Sequence, residues 1–203
     1  MSTDPFDVLH VLSVKGMAED DALAEALARD PADVRRALDR LRADALAEHL
    51  PRRDAWRVTP PGRDRHAALL DGDTPPDTRA ALRGVYDRFL PLNLRFKDAC
   101  ARWQVRDGVP NDHGDADYDQ ALVAELGELH AEAEQVIADL AGVRDRFGGY
   151  ADRLGRAYGR LRAGDTKAFT GVRCGSYHDA WMELHRDLLL TLRIDRACEE
   201  AAA

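Results

Sequence analysis

Between Pro31 and Thr59 the spacing of apolar residues changes period once, and this change narrows the possible folds more than any other feature of the chain. Val34, Leu38, Leu41 and Leu46 recur at helical spacing. Pro31 suits the first position of that helix, and Asp30 suits the N-cap ahead of it. Two short strands follow, Ala47–Leu50 and Ala55–Thr59, separated by the turn Pro51-Arg52-Arg53-Asp54. Upstream, Phe6, Val8, Leu9, Val11 and Leu12 mark a helix that ends near Gly16. Leu23, Ala26 and Leu27 mark a second, short helix, opened by the acidic Glu19-Asp20-Asp21 and stopping near Asp30. Helix, helix, tight turn, helix is the order of a helix-turn-helix, and the two strands after it make a wing. Thr59 caps a further helix over Asp64–Leu70.

Charge separates this stretch from the rest. Of 29 basic residues only Lys15, Lys97 and Lys167 are lysines. The formal net charge is -8, which argues against a globally basic nucleic-acid binder and leaves room for a local basic surface. Residues 1–28 carry a net -5, residues 29–65 a net +3 and residues 66–203 a net -6. The outer face of the third helix carries Arg35, Arg36, Asp39, Arg40 and Arg42, and the wing carries Arg52, Arg53 and Arg57. Arginine reads guanine O6 and N7 with two bonds or holds a phosphate, so Arg35, Arg36 and Arg40 are candidates for base edges. Arg52, Arg53 and Arg57 are candidates for phosphates or the minor groove. The alternative for such a run is a solvated helix face.

Three blocks taken in order are similar to a known family: Leu23-Ala24-Glu25-Ala26-Leu27, Val34-Arg35-Arg36-Ala37-Leu38-Asp39-Arg40-Leu41, and Trp56-Arg57-Val58-Thr59-Pro60-Pro61-Gly62-Arg63. Phe6 to Leu70, about a third of the chain, resembles the winged helix-turn-helix domain of bacterial regulators of the MarR and related types. Two positions depart from that pattern. Asp33 stands where such helices often carry Ser or Thr, and a carboxylate there repels phosphate while it accepts from a cytosine amino group. Ala45 replaces the usual glycine before the wing. The resemblance implies an N-terminal unit over residues 1–72 that binds double-stranded DNA. Winged domains also serve as protein-interaction modules, and that reading stays open.

Asp71-Gly72-Asp73-Thr74-Pro75-Pro76-Asp77 reads as a linker. Beyond it, residues 78–203 read as a bundle of four or five helices, so the fold class expected for the chain is mainly α. Leu82, Val85, Tyr86, Phe89 and Leu90 repeat with a helical period, and Leu92, Leu94, Phe96, Ala99, Cys100 and Trp103 continue it past Pro91, which interrupts or kinks the helix. Residues 106–117 read as a polar loop. Further helices are expected from about Tyr118 to Leu140, Asp145 to Ala163 and Ser176 to Glu199, with an irregular stretch at 166–175. Ser176 and Asp179 have the spacing of a capping box. The phrase Ser176-Tyr177-His178, Trp181, Glu183-Leu184-His185 is similar to helical segments that follow winged domains in actinobacterial-type regulators.

On that last helix His178, Trp181, Met182 and His185 share a face, and Tyr177, Trp181, Leu184 and Leu188 form an overlapping stripe. Two histidines and a tryptophan beside an apolar seam line a ligand pocket or, equally, sit at a core edge beside a packing indole. Asn93, Lys97 and Trp103 lie along the helix around Pro91, and His113 lies in the loop after it. A lysine at a pocket edge suits an anionic effector; on a solvated face it snorkels. His178 and His185 lie about 10 Å apart along the axis, too far for one zinc without convergence of long side chains, so no metal and no cofactor is expected.

Several classes are excluded at this level. No apolar run is long enough for a membrane span. The start of the chain lacks the basic and apolar regions of a signal peptide, and Cys100, Cys174 and Cys198 are odd in number and far apart, which suits a reducing cytoplasm. No glycine-rich phosphate loop, GxSxG or HExxH is present, so an enzyme is not expected; a helical-bundle enzyme using His178, His185 and Lys97 stays as the runner-up. The expectation is a cytoplasmic, homodimeric, ligand-responsive transcription regulator, with half-sites about 34–36 Å apart on duplex DNA.

Overall fold

The computed structural model describes residues 3–195. It is mainly helical, and contacts divide it into two compact units: residues 3–76 with 193–195, and residues 77–192. Among the described residues no helix is long and apolar enough to cross a membrane.

The first unit opens with α1 (Pro5–Lys15), capped by the Asp4 carboxylate on the Phe6 N–H at 2.9 Å. Gly16, at φ 75°, ends it and turns the chain straight into β1 (Met17–Ala18). α2 (Asp20–Leu27) stops at Ala28 in the left-handed region. α3 (Pro31–Ala43) begins where the sequence places it, with the Asp30 carboxylate accepting from the Ala32 N–H at 2.8 Å. Val34, Ala37, Leu38 and Leu41 bury its apolar face against Leu9, Leu12, Leu23 and Trp56. Leu46 is not part of α3: the helix ends at Ala43 and the chain turns through Ala45 at φ 58°.

β2 (Ala47–Leu50) and β3 (Ala55–Val58) are antiparallel, in register from Ala47 opposite Val58 to Leu50 opposite Ala55. The sheet has a third strand that the sequence does not announce. β1 pairs antiparallel with β3, Met17 opposite Arg57 and Ala18 opposite Trp56, in the order β1-β3-β2. α4 (Pro60–Asp73) follows, capped by the Thr59 hydroxyl on the Gly62 N–H at 3.1 Å. Position 62 must be glycine, because a Cβ there would run into the Leu46 carbonyl oxygen.

The expected linker at 71–77 is largely helix. Asp71–Asp73 belong to α4, and Pro76 starts α5 (Pro76–Gln104), leaving only Thr74 and Pro75 between the two. Proline at a helix start is pre-organised for it, so Pro75-Pro76 here marks a beginning and not a loop.

In the second unit α5 runs unbroken past Pro91, which lies on its exposed face. The loop expected at 106–117 contains a hairpin, β4 (Val105–Arg106) with β5 (Val109–Pro110), turned by Asp107 and Gly108 at φ 51° and 80°. An Asp-Gly pair is the usual two-residue turn for that geometry. α6 (Ala116–Val143) is capped by Asp115. One 3-10 turn (Asp145–Gly148) leads into α7 (Gly149–Arg162). α8 (Lys167–Thr170) lies inside the stretch expected to be irregular. α9 (Tyr177–Leu192) starts under the Ser176 cap, whose hydroxyl accepts from the Asp179 N–H at 3.0 Å. The Asp179 carboxylate takes the Cys174 N–H at 3.1 Å instead of closing a reciprocal box. The sequence carries the last helix to Glu199; α9 ends at Leu192, and residues 196–199 lie outside those described. Arg193 forms an ion pair with Asp71, so residues 193–195 group with the first unit.

Candidate functional site

The arginines of the first unit fall into two sets. In the first, each guanidinium is held by a carboxylate of the same unit. Arg35 on α3 donates to Asp20 of α2 at 2.6 Å and lies over the Trp56 ring at 5.5 Å. The hydrogen bond it donates to Asp20 holds its pKa above the usual arginine value. Arg36 is ion-paired with Asp33 one turn back, and Arg42 reaches Asp39 at 3.5 Å. Arg57 donates to Glu48, its partner across the β2–β3 pair, at 2.6 Å.

The second set has no such partner. Among the described residues Arg40 and Arg52 make no side-chain hydrogen bond or ion pair, and Arg53 reaches only the Met17 sulfur at 3.8 Å. All three are exposed. The six arginines that the sequence singles out therefore differ in the structure: Arg40, Arg52 and Arg53 offer unneutralised charge, whereas Arg35, Arg36 and Arg57 already share a carboxylate.

The wing and β1 border an open concavity of about 670 Å³. Its lining is mainly apolar, from Gly16, Met17, Leu50 and Pro51, together with Arg52 and Arg53 of the turn and Arg57 of the central strand β3. The sequence does not reveal this concavity, because one side is the short strand β1, which becomes a strand only by pairing with β3.

In the second unit α9 turns Tyr177, Trp181 and His185 into the interior, and α5 turns Phe89, Asn93 and Phe96 to meet them. The Trp181 indole N–H donates to the Asn93 carboxamide oxygen at 3.0 Å, with both side chains buried. Phe89 stacks on Trp181 at 5.1 Å, and Phe96 lies 4.7 Å from it on the same indole. His185 rests on Phe89 at 5.5 Å, and the half-buried His178 lies 6.3 Å from Phe96. These rings fill the seam with one another, and Trp181 and Tyr177 have no exposed surface.

Two of the expected residues join only the end of this cluster. Trp103 meets Phe169 at 4.8 Å, and His113 lies on the Trp103 ring at 4.6 Å with its Nδ1 2.9 Å from Asp119. Lys97 is not brought in; it is exposed on α5.

Polar groups beyond the expected site residues are buried nearby. His130 of α6 lies 3.3 Å from the Tyr177 hydroxyl and packs on Tyr158. Burial lowers its pKa, and Glu134 at 3.6 Å opposes that shift. The buried Asp187 carboxylate accepts from Tyr150 at 3.1 Å and Thr191 at 3.0 Å, while Arg153 donates to Glu183 at 2.6 Å. Burial, then Asp187, pushes the Tyr150 phenol well above its ordinary value. The one hint in the sequence is a carboxylate at position 187, inside the apolar stripe Leu184, Leu188, Leu192. Cys100 is buried and its thiol is pushed up to about 12 by desolvation, Cys174 is exposed, and Cys198 lies outside the described residues. Among the described residues no three metal-ligating side chains come together.

No protein-family model, no curated protein and no solved structure matches this chain.

Proposed function

We propose that the chain is a DNA-binding transcription regulator whose first unit is a winged helix-turn-helix. The observation that carries this reading is the element order α1-β1-α2-α3-β2-β3 with sheet order β1-β3-β2, joined to three arginines on α3 and the β2–β3 turn that have no carboxylate partner among the described residues. On this reading α3 enters the major groove. Arg40 and Arg36 meet base edges or phosphates there, Arg36 once it leaves Asp33, and Arg52 and Arg53 reach phosphate from the wing. Arg35 and Arg57 act as positioning residues, fixing α3 to α2 and β3 to β2. One such unit of modest basicity binds weakly, so the regulator acts as a homodimer, with the helical unit supplying the contact between copies and a small-molecule effector shifting the DNA-bound population.

The test is fluorescence anisotropy of the full chain on duplex DNA from its own upstream region, across a salt series. Sequence-dependent binding with a steep negative salt slope supports the reading. Binding that is absent, or flat with salt, overturns it.

A second reading has its own support. Asp20, Asp33, Asp39 and Glu48 lie among the arginines of the same unit, and mixed charge of this kind suits a protein surface better than a polyanion. Under it, the unit docks on a partner protein and the anisotropy experiment fails.

A further inference from the structure

The concavity at the wing differs from a plain phosphate-contacting surface in being lined by apolar residues together with three arginines. Its volume of about 670 Å³ falls within the roughly 300–1,000 Å³ common for small-molecule sites. No residue lining it is acidic. Among the described residues Arg52 and Arg53 have no carboxylate to release before they take an anion, and Arg57 keeps one guanidinium nitrogen on Glu48. Met17, Leu50 and Pro51 offer nothing to a sugar–phosphate backbone but would bury a flat hydrocarbon body. Gly16 leaves the lining without a side chain where α1 turns into β1.

We propose that this concavity binds an amphipathic organic anion, an apolar ring system carrying a phosphate or carboxylate, and that its occupancy excludes DNA from the wing. The body lies on Met17, Leu50 and Pro51. The anion takes charge-assisted hydrogen bonds from Arg52 and Arg53 together, the donors that the proposed function gives to phosphate. The exclusion of DNA rests on the function proposed above; the small-molecule site does not. Effector and operator then compete for the same guanidinium groups, and no conformational relay is required.

The probe is 1-naphthyl phosphate, titrated calorimetrically into the full chain beside inorganic phosphate and 1-naphthol. Binding of one equivalent of naphthyl phosphate is expected, with either fragment alone weaker by about tenfold or more. Arg52→Ala and Arg53→Ala are each expected to weaken it by about tenfold, because each removes a charge-assisted donor. Both residues are exposed, so the variants keep the fold. Lys97→Ala is expected to leave binding unchanged. Naphthyl phosphate is expected to displace duplex DNA in the anisotropy assay.

Equal affinity for inorganic phosphate overturns the proposal and leaves a simple anion patch. Loss of binding in Lys97→Ala but not in Arg53→Ala overturns it in favour of the helical unit. If DNA binds and naphthyl phosphate does not, or both bind without affecting each other, this inference fails and the regulator reading stands. If naphthyl phosphate binds as described and DNA does not, the site stands and the regulator reading fails.

Discussion

The indole N–H of Trp56 donates to Asp20 across 2.6 Å, and the other oxygen of that carboxylate takes the Arg35 guanidinium at the same distance. One side chain at the start of α2 thus fixes the central strand β3 and the face of α3. With Asp20 in place Trp56 is fully buried, and Asp20 is the acceptor of its N–H. Asp20→Ala is expected to destabilise the first unit by about 1–3 kcal/mol, the range for leaving a buried donor unsatisfied. Urea denaturation measures it, and a loss within error of zero would mean that the indole finds another acceptor.

The two sets of arginines give opposite expectations on DNA. Arg40→Ala is expected to reduce the salt slope of binding by about one unit, as removal of one phosphate contact does. Arg35→Ala is expected to change the slope far less, because Asp20 already offsets that charge. Arg36→Ala is expected to cost about 1–3 kcal/mol of specific binding if it reads a base. Equal slopes for the Arg35 and Arg40 variants would remove the distinction drawn from the ion pairs.

Ala45 holds φ 58°, a left-handed backbone that costs a non-glycine residue about 1–2 kcal/mol. Glycine relieves that cost but adds back about 0.4–1 kcal/mol of chain entropy in the unfolded state. Ala45→Gly is therefore expected to stabilise the first unit by about 0.5–1 kcal/mol in the same denaturation assay. Destabilisation would show that the Ala45 methyl is packed.

How far the sequence reaches is visible at particular residues. Asp30-Pro31, Thr59 and Ser176 announce helix starts because a cap acts within three residues of itself. The β2–β3 hairpin is legible for the same reason, and Ala45 marks the turn before it. β1 is not legible: two residues have no period, and Met17-Ala18 is a strand only because β3 lies beside it. The 71–77 stretch misleads because Gly, Asp and Pro punctuate helices as well as loops. The face of α9 that carries Trp181 is legible, but its partner Asn93 is 88 residues away in the chain. Which arginines are free depends likewise on Asp20 and Glu48, whose positions only folding sets.

The Asn93–Trp181 pair makes its own prediction. Both side chains are buried, so Asn93→Ala leaves the indole N–H without its acceptor inside a ring-packed interior. A loss of about 1–3 kcal/mol from the second unit is expected. The aromatic near-ultraviolet circular dichroism should weaken with it, since Trp181 loses the bond that fixes its orientation between Phe89 and Phe96. An unchanged spectrum together with unchanged stability would show that ring packing alone holds the indole.

His130 sets a pH dependence whose sign follows from its surroundings. Burial lowers its pKa in the folded chain, and Glu134 only partly opposes this. The unfolded chain keeps the ordinary value of about 6.5. Above that value both states hold a neutral imidazole, so His130 adds no slope. As the pH falls through about 6.5, the unfolded state takes up the proton first and stability drops; the drop ends only once the pH passes the lower folded value. His130→Gln is expected to reduce the fall in unfolding free energy between about pH 7 and 5, while retaining a hydrogen-bonding group beside Tyr177. Equilibrium denaturation of both proteins at half-unit pH steps reads the difference in slope. Parallel curves would mean that the proton linkage over this range comes from other groups.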